Sequence, residues 1–180
     1  METIATSTFA ARTKGRRSAY RENGAAVVEF ALVSSLLFTV VIGILQYGLY
    51  FNDALGTRNG VREAARQAIV QNFSGDNAAG AACTGDDMAK LTCLTKGQID
   101  PLTGPVYVKV IAPATWDRSN GLTVCAMVDS DGAVGLLPMP NGGWIMSKTK
   151  MSIEKADTTP SGTPAPDALP AGRTWSWCTP

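Results

Sequence analysis

A charge-free apolar run from Phe30 to Phe51 constrains the fold more than any other feature of this sequence. The run is 22 residues long, contains no proline, and is interrupted by Gln46 and a few hydroxyl side chains. The hydrocarbon core of a bilayer is about 30 Å thick, and a helix crosses it with about 20 apolar residues. The run predicts a membrane-spanning helix, because a buried helix in a soluble protein is rarely apolar on every face.

A cleaved secretory signal peptide is the alternative interpretation of such a run. Its apolar region would be about 7–15 residues long, and small residues would follow at a cleavage site. This run is longer, and residues 50–55, Tyr-Phe-Asn-Asp-Ala-Leu, contain no such site. We therefore predict a single-pass membrane protein that has the lipid bilayer as one of its partners.

The basic residues on either side of the run predict its orientation. Five lie before it, Arg12, Lys14, Arg16, Arg17 and Arg21, and three lie after it, Arg58, Arg62 and Arg66. Positive charge is enriched on the cytoplasmic side of spanning helices. We expect residues 1–24 to form a basic cytoplasmic leader and the helix to cross the cell (inner) membrane. The C-terminal part would then be extracytoplasmic, in the periplasm or at the cell surface.

The overall composition argues against enzymatic and nucleic-acid-binding functions. Lys and Arg number 16 against 15 Asp and Glu, so the charge balance does not favour nucleic acid as a partner. The chain has no histidine, which removes the commonest general base and most zinc sites. It also has no phosphate-binding loop and no nucleophile elbow. We expect no enzymatic activity, no cofactor and no bound metal.

Four cysteines follow the apolar run, at Cys83, Cys93, Cys125 and Cys178. An even count outside the cytoplasm fits a disulfide framework, and the spacing resembles no common metal site. Four cysteines allow three connectivities. We favour Cys83–Cys93 and Cys125–Cys178, the first because the two residues are close in sequence. Free buried thiols are the alternative.

A lone carboxylate, Glu29, lies within an otherwise apolar stretch that begins at Ala25. A charge at the bilayer centre costs at least about 2.5–3.5 kcal/mol on insertion scales, and less near the boundary. Glu29 is either a helix-end residue that reaches for headgroups or a functional group with a partner. The arrangement around Glu29 resembles the processing site of a type IV prepilin, and the implied cut between Gly24 and Ala25 would create an α-amino group four residues before Glu29. The amine of one subunit can then pair with Glu29 of its neighbour and offset the desolvation of both charges.

The residues around Glu29 resemble a known family. A basic leader, Gly, four small or apolar residues, Glu and an aromatic residue form the pattern of a type IV prepilin processing site. Residues 21–33, Arg-Glu-Asn-Gly-Ala-Ala-Val-Val-Glu-Phe-Ala-Leu-Val, resemble the opening of TadE-like proteins, the minor pseudopilins of tight-adherence (Flp) pilus systems. Residues 61–68 are similar to the continuation of that helix, and residues 146–154 to the closing strand of the family. Ser34 and Ser35 stand where the family often carries a proline.

The resemblance, which covers about residues 21–155, implies a function. It implies cleavage between Gly24 and Ala25 by a prepilin peptidase, and an assembly or register role for Glu29 and Phe30. The implied partners are other pilin or pseudopilin subunits and Tad assembly proteins. The alternative function is an unprocessed single-pass anchor that carries a disulfide-stabilised extracytoplasmic binding domain.

The chain after the run predicts an α+β, pilin-like fold. Residues 25–71 are expected to form one transmembrane and extended helix, with Gly56 and Gly60 as weak points, on which a small antiparallel sheet packs as on a spine. Residues 72–104, rich in Gly, Ala, Asp and Thr, indicate a loop. Alternating apolar residues predict three strands, at residues 106–111, 122–128 and 145–153.

The predicted organisation has two further parts. Residues 72–155 would form a small extracytoplasmic α+β domain. The apolar turn at residues 135–142 is expected to pack on its core; contact with the membrane or with another subunit is the alternative. Residues 156–180 would form a Pro-rich C-terminal tail, a linker or disordered for most of its length. If Cys178 bonds to Cys125, the end of this tail is held on the sheet.

Overall fold

The computed structural model describes residues 19–77, 80–130 and 137–180, with side chains from residue 24 onward. Residues 1–18 of the expected basic leader therefore lie outside the described residues. The chain divides into two compact units, residues 1–42 and residues 43–180, which are considered separately. Two α-helices, one 3₁₀ turn and three strands are described. In chain order they are α1 (Ala19–Ile69), α2 (Asp87–Ile99), β1 (Val106–Ile111), β2 (Gly121–Asp129), the 3₁₀ turn (Pro140–Gly143) and β3 (Trp144–Ser152).

Helix α1 has an uncovered apolar surface within the first unit. Its large apolar side chains from Val27 to Val41 are 42–73% exposed. In the described part of the chain, one helix is long and apolar enough to cross a membrane, over Gly24–Ile69. A helix that is apolar on all sides and has no protein packed on it needs lipid or partner helices around it. The protein therefore has one N-terminal apolar helix of the kind that anchors single-pass membrane proteins.

The same helix changes character within the second unit. From Val61 onward its small and β-branched side chains are fully or nearly fully buried: Val61, Ala64, Ala65, Ala68 and Ile69. The helix ends in a Schellman-type motif, in which Gln71 takes a positive φ of 59°. The N–H of Gln71 donates to Ala68 O and that of Asn72 to Gln67 O, both at 2.9 Å. The expected spine is confirmed, and it ends within two residues of the predicted position.

The three strands form one antiparallel meander in the order β1-β2-β3. Val110 of β1, Val124 of β2 and Thr149 of β3 lie side by side, so the register puts alternate residues on one face. That face packs on α1 and α2. The core cluster contains Met88, Leu91, Ile99, Val108, Val110, Leu122, Val124, Ala126, Val128, Ile145 and Ile153 besides the residues of α1. The α+β prediction is confirmed.

Helix α2 was not expected, because residues 72–104 indicated a loop. Asp86 caps the helix by accepting from Ala89 N at 2.8 Å, and Asp100 ends it in the left-handed region. Its buried residues recur at helical spacing: Met88, Leu91, Leu94, Thr95 and Ile99. The prediction was wrong because Gly, Asp and Thr dominate the composition of the whole region, whereas the helix covers only its second half.

The C-terminal segment 156–180 is packed on the domain and is not a disordered tail. These residues, all described, form no helix or strand. Asp167 nevertheless exchanges hydrogen bonds with the edge strand: its N–H donates to Val108 O at 3.0 Å, and its carboxylate accepts from Val108 N at 2.7 Å. Lys96 makes an ion pair with the same carboxylate at 2.9 Å. The composition missed this order because the segment is held by specific polar contacts and a disulfide, which proline content does not reveal.

Candidate functional site

The predicted assembly segment lies on the uncovered part of α1. Gly24 and Ala25 are within the helix, and Glu29 and Phe30 are exposed, Phe30 by 73%. Among the side chains that the structure describes, Glu29 makes no hydrogen bond or ion pair. It is also the one ionisable residue in the sequence from Gly24 to Ile42.

The hydroxyl groups of the apolar segment are satisfied within the helix. Ser34 donates to Ala31 O at 3.1 Å, and Ser35 donates to Leu32 O at 2.9 Å. The Thr39 hydroxyl donates to Ser35 O at 2.9 Å. Polar groups in lipid must be satisfied internally, and these three are. Among the polar side chains described in this segment, Glu29 is then the one without a hydrogen bond or ion pair.

Two polar side chains of α1, Gln46 and Tyr47, bind the backbone of a distant loop. The Gln46 amide donates to Leu137 O at 2.8 Å and accepts from Leu137 N at 3.1 Å. The Tyr47 hydroxyl donates to Pro138 O at 2.9 Å. Gln46 is 1% exposed although it lies within the charge-free run. The described end of the apolar turn therefore lies against α1, whereas we expected it to pack on the core.

Asp53 is a buried carboxylate that sequence reasoning missed. It is 1% exposed, and it accepts from the backbone N–H groups of Leu102 and Thr103, each at 3.0 Å. The Thr103 hydroxyl also donates to it. These bonds join the loop after α2 to α1 two residues beyond the apolar run. The sequence carries no local signal for this role, because the partners lie 49 and 50 residues away.

The glycines that we expected to weaken α1 form its contact with α2. A Cβ atom at Gly60 would lie 2.6 Å from Ile99 Cγ1 and 2.9 Å from the carbonyl carbon of Gln98. A Cβ atom at Gly56 would lie 3.2 Å from Ile99 O. The end of α2 therefore approaches the backbone of α1 as closely as the absence of side chains permits.

The disulfides have the pairing that the sequence favoured. Cys83 is bonded to Cys93, which ties the loop before α2 to the helix. Cys125 is bonded to Cys178, which ties the central strand to the C-terminal segment. Within the same segment Arg173 stacks over the Trp144 ring at 4.6 Å. The sheet therefore has one face on the helices and the C-terminal segment attached to the other.

The C-terminal segment also contacts the start of α2. The N–H and the hydroxyl of Ser161 donate to the Asp87 carboxylate at 2.8 and 2.9 Å. The backbone N–H of Ser161, and then its hydroxyl, lower the pKa of Asp87, because both bonds stabilise the charged form. The described residues contain no group of three or more His, Cys, Asp or Glu side chains placed to hold a metal ion.

Comparison with known proteins identifies the segment that carries Glu29. Residues 24–66 match the family model described as TadE-like protein. No curated protein and no solved structure matches the chain. The match begins at Gly24 and ends within the spine, so the expected likeness of residues 146–154 to the closing strand of the family stays a prediction. The resemblance read from the residues around Glu29 is confirmed: the chain carries a TadE-like domain at residues 24–66.

Proposed function

We propose that this protein is a minor pilin-like subunit that takes part in assembly of a tight-adherence (Flp) type IV pilus or a related secretion apparatus. The observation that carries the proposal is the position of Glu29, an unpartnered carboxylate on an exposed apolar helix inside a TadE-like domain. The role is structural, since the segment offers one charge and an apolar surface and no catalytic group.

Cleavage between Gly24 and Ala25 would supply the partner that Glu29 lacks. A prepilin peptidase acting at this bond removes the basic cytoplasmic leader and leaves an α-amino group on Ala25. The amine and Glu29 are four residues apart, about 6 Å along the helix axis. A contact within one helix is within reach at that separation, and a neighbouring helix shifted by about one turn also brings the two groups together.

Pairing between subunits gives a physical reason for one acid per helix. Either charge alone in a low-dielectric environment pays a desolvation penalty, and the pair offsets it when the geometry is good. An apolar helix surface has many nearly equivalent ways to pack. A single buried polar pair therefore selects one axial register among them, as polar residues do in coiled coils.

The second unit would be displayed on the extracytoplasmic side of the inner membrane, in the periplasm or at the cell surface. Two disulfides persist in oxidising compartments and are rare in the cytoplasm, which supports this orientation. The basic residues before the helix support it as well. The other partners in this proposal are pilin or pseudopilin subunits and Tad assembly proteins.

Substitution of Glu29 tests the proposal. We expect Glu29→Gln to insert in the membrane and to be cleaved, because the substitution lowers the insertion cost and leaves Gly24 unchanged. It should lose most of its co-purification with pilus components, since the amine of the neighbour is then left without a counter-charge. The measurement is affinity capture of the full chain from cells that express the complete pilus system.

The matched control is Glu154→Ala, which removes an exposed carboxylate from the second unit. It should co-purify like the unsubstituted protein. Normal co-purification of Glu29→Gln would contradict the pairing and would leave an anchored domain of another function.

A further inference from the structure

The end of the loop before β3 lies beside the apolar part of α1, within the second unit. A Cβ atom at Gly43 would lie 3.2 Å from Leu137 Cδ1, so the loop reaches the helix at that level. Gln46 holds both backbone groups of Leu137 one turn further along. Gln46 precedes Phe51, the end of the charge-free run, by five residues, about 7–8 Å along the axis. The loop therefore extends back along the segment that is expected to lie in lipid.

Most backbone polar groups of residues 137–140 are bonded within the protein. Irregular backbone is tolerated at membrane depth only where its polar groups are satisfied by protein. Leu137 is bonded through both its N–H and its C=O to Gln46, and the C=O of Pro138 accepts from Tyr47. Met139 O accepts from Gly142 N at 3.2 Å. Pro138 and Pro140 have no N–H to satisfy.

An apolar groove continues from the loop along the same side of the unit. It has a volume of about 560 Å³ and lies between residues 50–58 of α1 and residues 140–146. Phe51 and Leu55 are 60% and 59% exposed, and Met146 is 44% exposed. Such a surface next to water is unfavourable, and Ile44 and Leu45, which precede it on α1 in the same unit, are 67% and 58% exposed.

The polar residues around this groove suit a lipid headgroup region. Tyr50 and Trp144 line it, and aromatic residues with one polar atom are enriched at the level of the headgroups. Arg58 is exposed at its rim. An arginine at this level can extend its guanidinium to lipid phosphates while its stem covers apolar surface.

We propose that the second unit is docked on the bilayer, with residues 137–140 inserted at the headgroup–acyl boundary and the groove beside Phe51 occupied by lipid. The unit would then sit directly on the membrane, and it would not be held away from it on an extended helix. The inference rests on membrane anchoring and not on the pilus role. The continuity of the groove with the apolar run favours lipid over a second copy of the chain as its occupant.

Depth-dependent fluorescence quenching tests this inference on the full chain. An environment-sensitive fluorophore is attached to Met139→Cys with the native disulfides intact. The protein is reconstituted in vesicles of phosphatidylcholine and phosphatidylglycerol that contain a lipid with a nitroxide quencher near the headgroup end of its acyl chain. No pilus component or peptidase is present, so the result does not depend on the proposed function.

Ser119→Cys provides the matched control. Ser119 is exposed in the loop before Gly121, and β2 separates that end from Asp129, which pairs with Trp144, by roughly 26 Å. We expect quenching several-fold stronger at position 139 than at position 119. Equal quenching at the two positions would overturn the inference. So would a label at 139 that is shielded from water but not quenched, because protein and not lipid would then cover the loop.

A second variant tests how the loop is held. Gln46→Leu keeps the apolar character of the helix and removes both bonds to Leu137. Quenching at position 139 should fall toward the value at position 119, which should not change. Unchanged quenching at 139 would show that Gln46 does not place the loop in the membrane, and this part of the inference would be wrong.

Discussion

At the scale of single residues, the buried polar side chains of α1 bind loop backbone. Gln46 and Asp53 are each 1% exposed, and each accepts or donates bonds at two or more backbone groups. Removing such a side chain leaves the bonded backbone groups unsatisfied, at about 1–3 kcal/mol each. Gln46 and Asp53 therefore fix the positions at which the loops contact the helix. Apolar packing alone would leave those positions less defined.

Gly60 gives a residue-scale prediction. Gly60→Val should destabilise the second unit by about 1–3 kcal/mol, because the new side chain collides with Ile99 and Gln98 although valine is the better helix former. Thermal unfolding of the full chain in detergent, followed by near-ultraviolet circular dichroism of the tryptophans, measures the effect.

Gly48→Val is the control, because among the described residues nothing lies within 4 Å of a Cβ atom at Gly48. It should leave the unfolding temperature nearly unchanged. A similar fall in both variants would show that the close approach of α2 does not explain the effect.

At the scale of elements, periodic segments were predictable and irregular ones were not. The apolar run and the alternating residues of β1 and β2 indicated a helix and strands because each repeat is visible within a few residues. Helix α2 was missed because the Gly-, Asp- and Thr-rich residues around it obscure the helical spacing of its own apolar residues. The packing of residues 156–180 was missed because Asp167 meets Val108 and Lys96, 59 and 71 residues away. Contacts at that separation leave no local pattern.

The Cys125–Cys178 disulfide carries the prediction at this scale. The bond joins residues 53 positions apart. In the chain-entropy model, closing a loop of that length adds about 4 kcal/mol to the free energy of unfolding. Replacing both cysteines by serine should release the C-terminal segment and expose the peptide bond after Arg173, which is otherwise held over Trp144. Trypsin digestion followed by mass spectrometry should then show faster cleavage at that bond.

Replacing Cys83 and Cys93 by serine is the comparison, since that disulfide joins the loop before α2 to α2 itself and includes no residue of the C-terminal segment. Cleavage after Arg173 should stay slow in this variant. Equal rates in the two double variants would mean that the segment is not held by its own disulfide.

At the scale of the whole molecule, the likeness to a known family lies in residues 24–66. Gly24, Ala25, Glu29 and Phe30 could be proposed as site residues from the sequence because one acid in an apolar stretch is visible without a structure. In the sequence, Gln46 was visible only as an interruption of the apolar run, and Asp53 only as the first charged residue after it. Their roles required the fold, because their partners lie in loops that follow α2 in the sequence, about 50 to 90 residues away.

The mature N-terminus of assembled protein tests the central claim most directly. Intact mass and N-terminal sequencing are measured on full-length protein extracted from membranes of cells that express the pilus peptidase, and on the fraction that co-purifies with pilus components. The account predicts a chain that begins at Ala25, with the amine available to Glu29 of a neighbour. Assembled protein that retains residues 1–24 would contradict it.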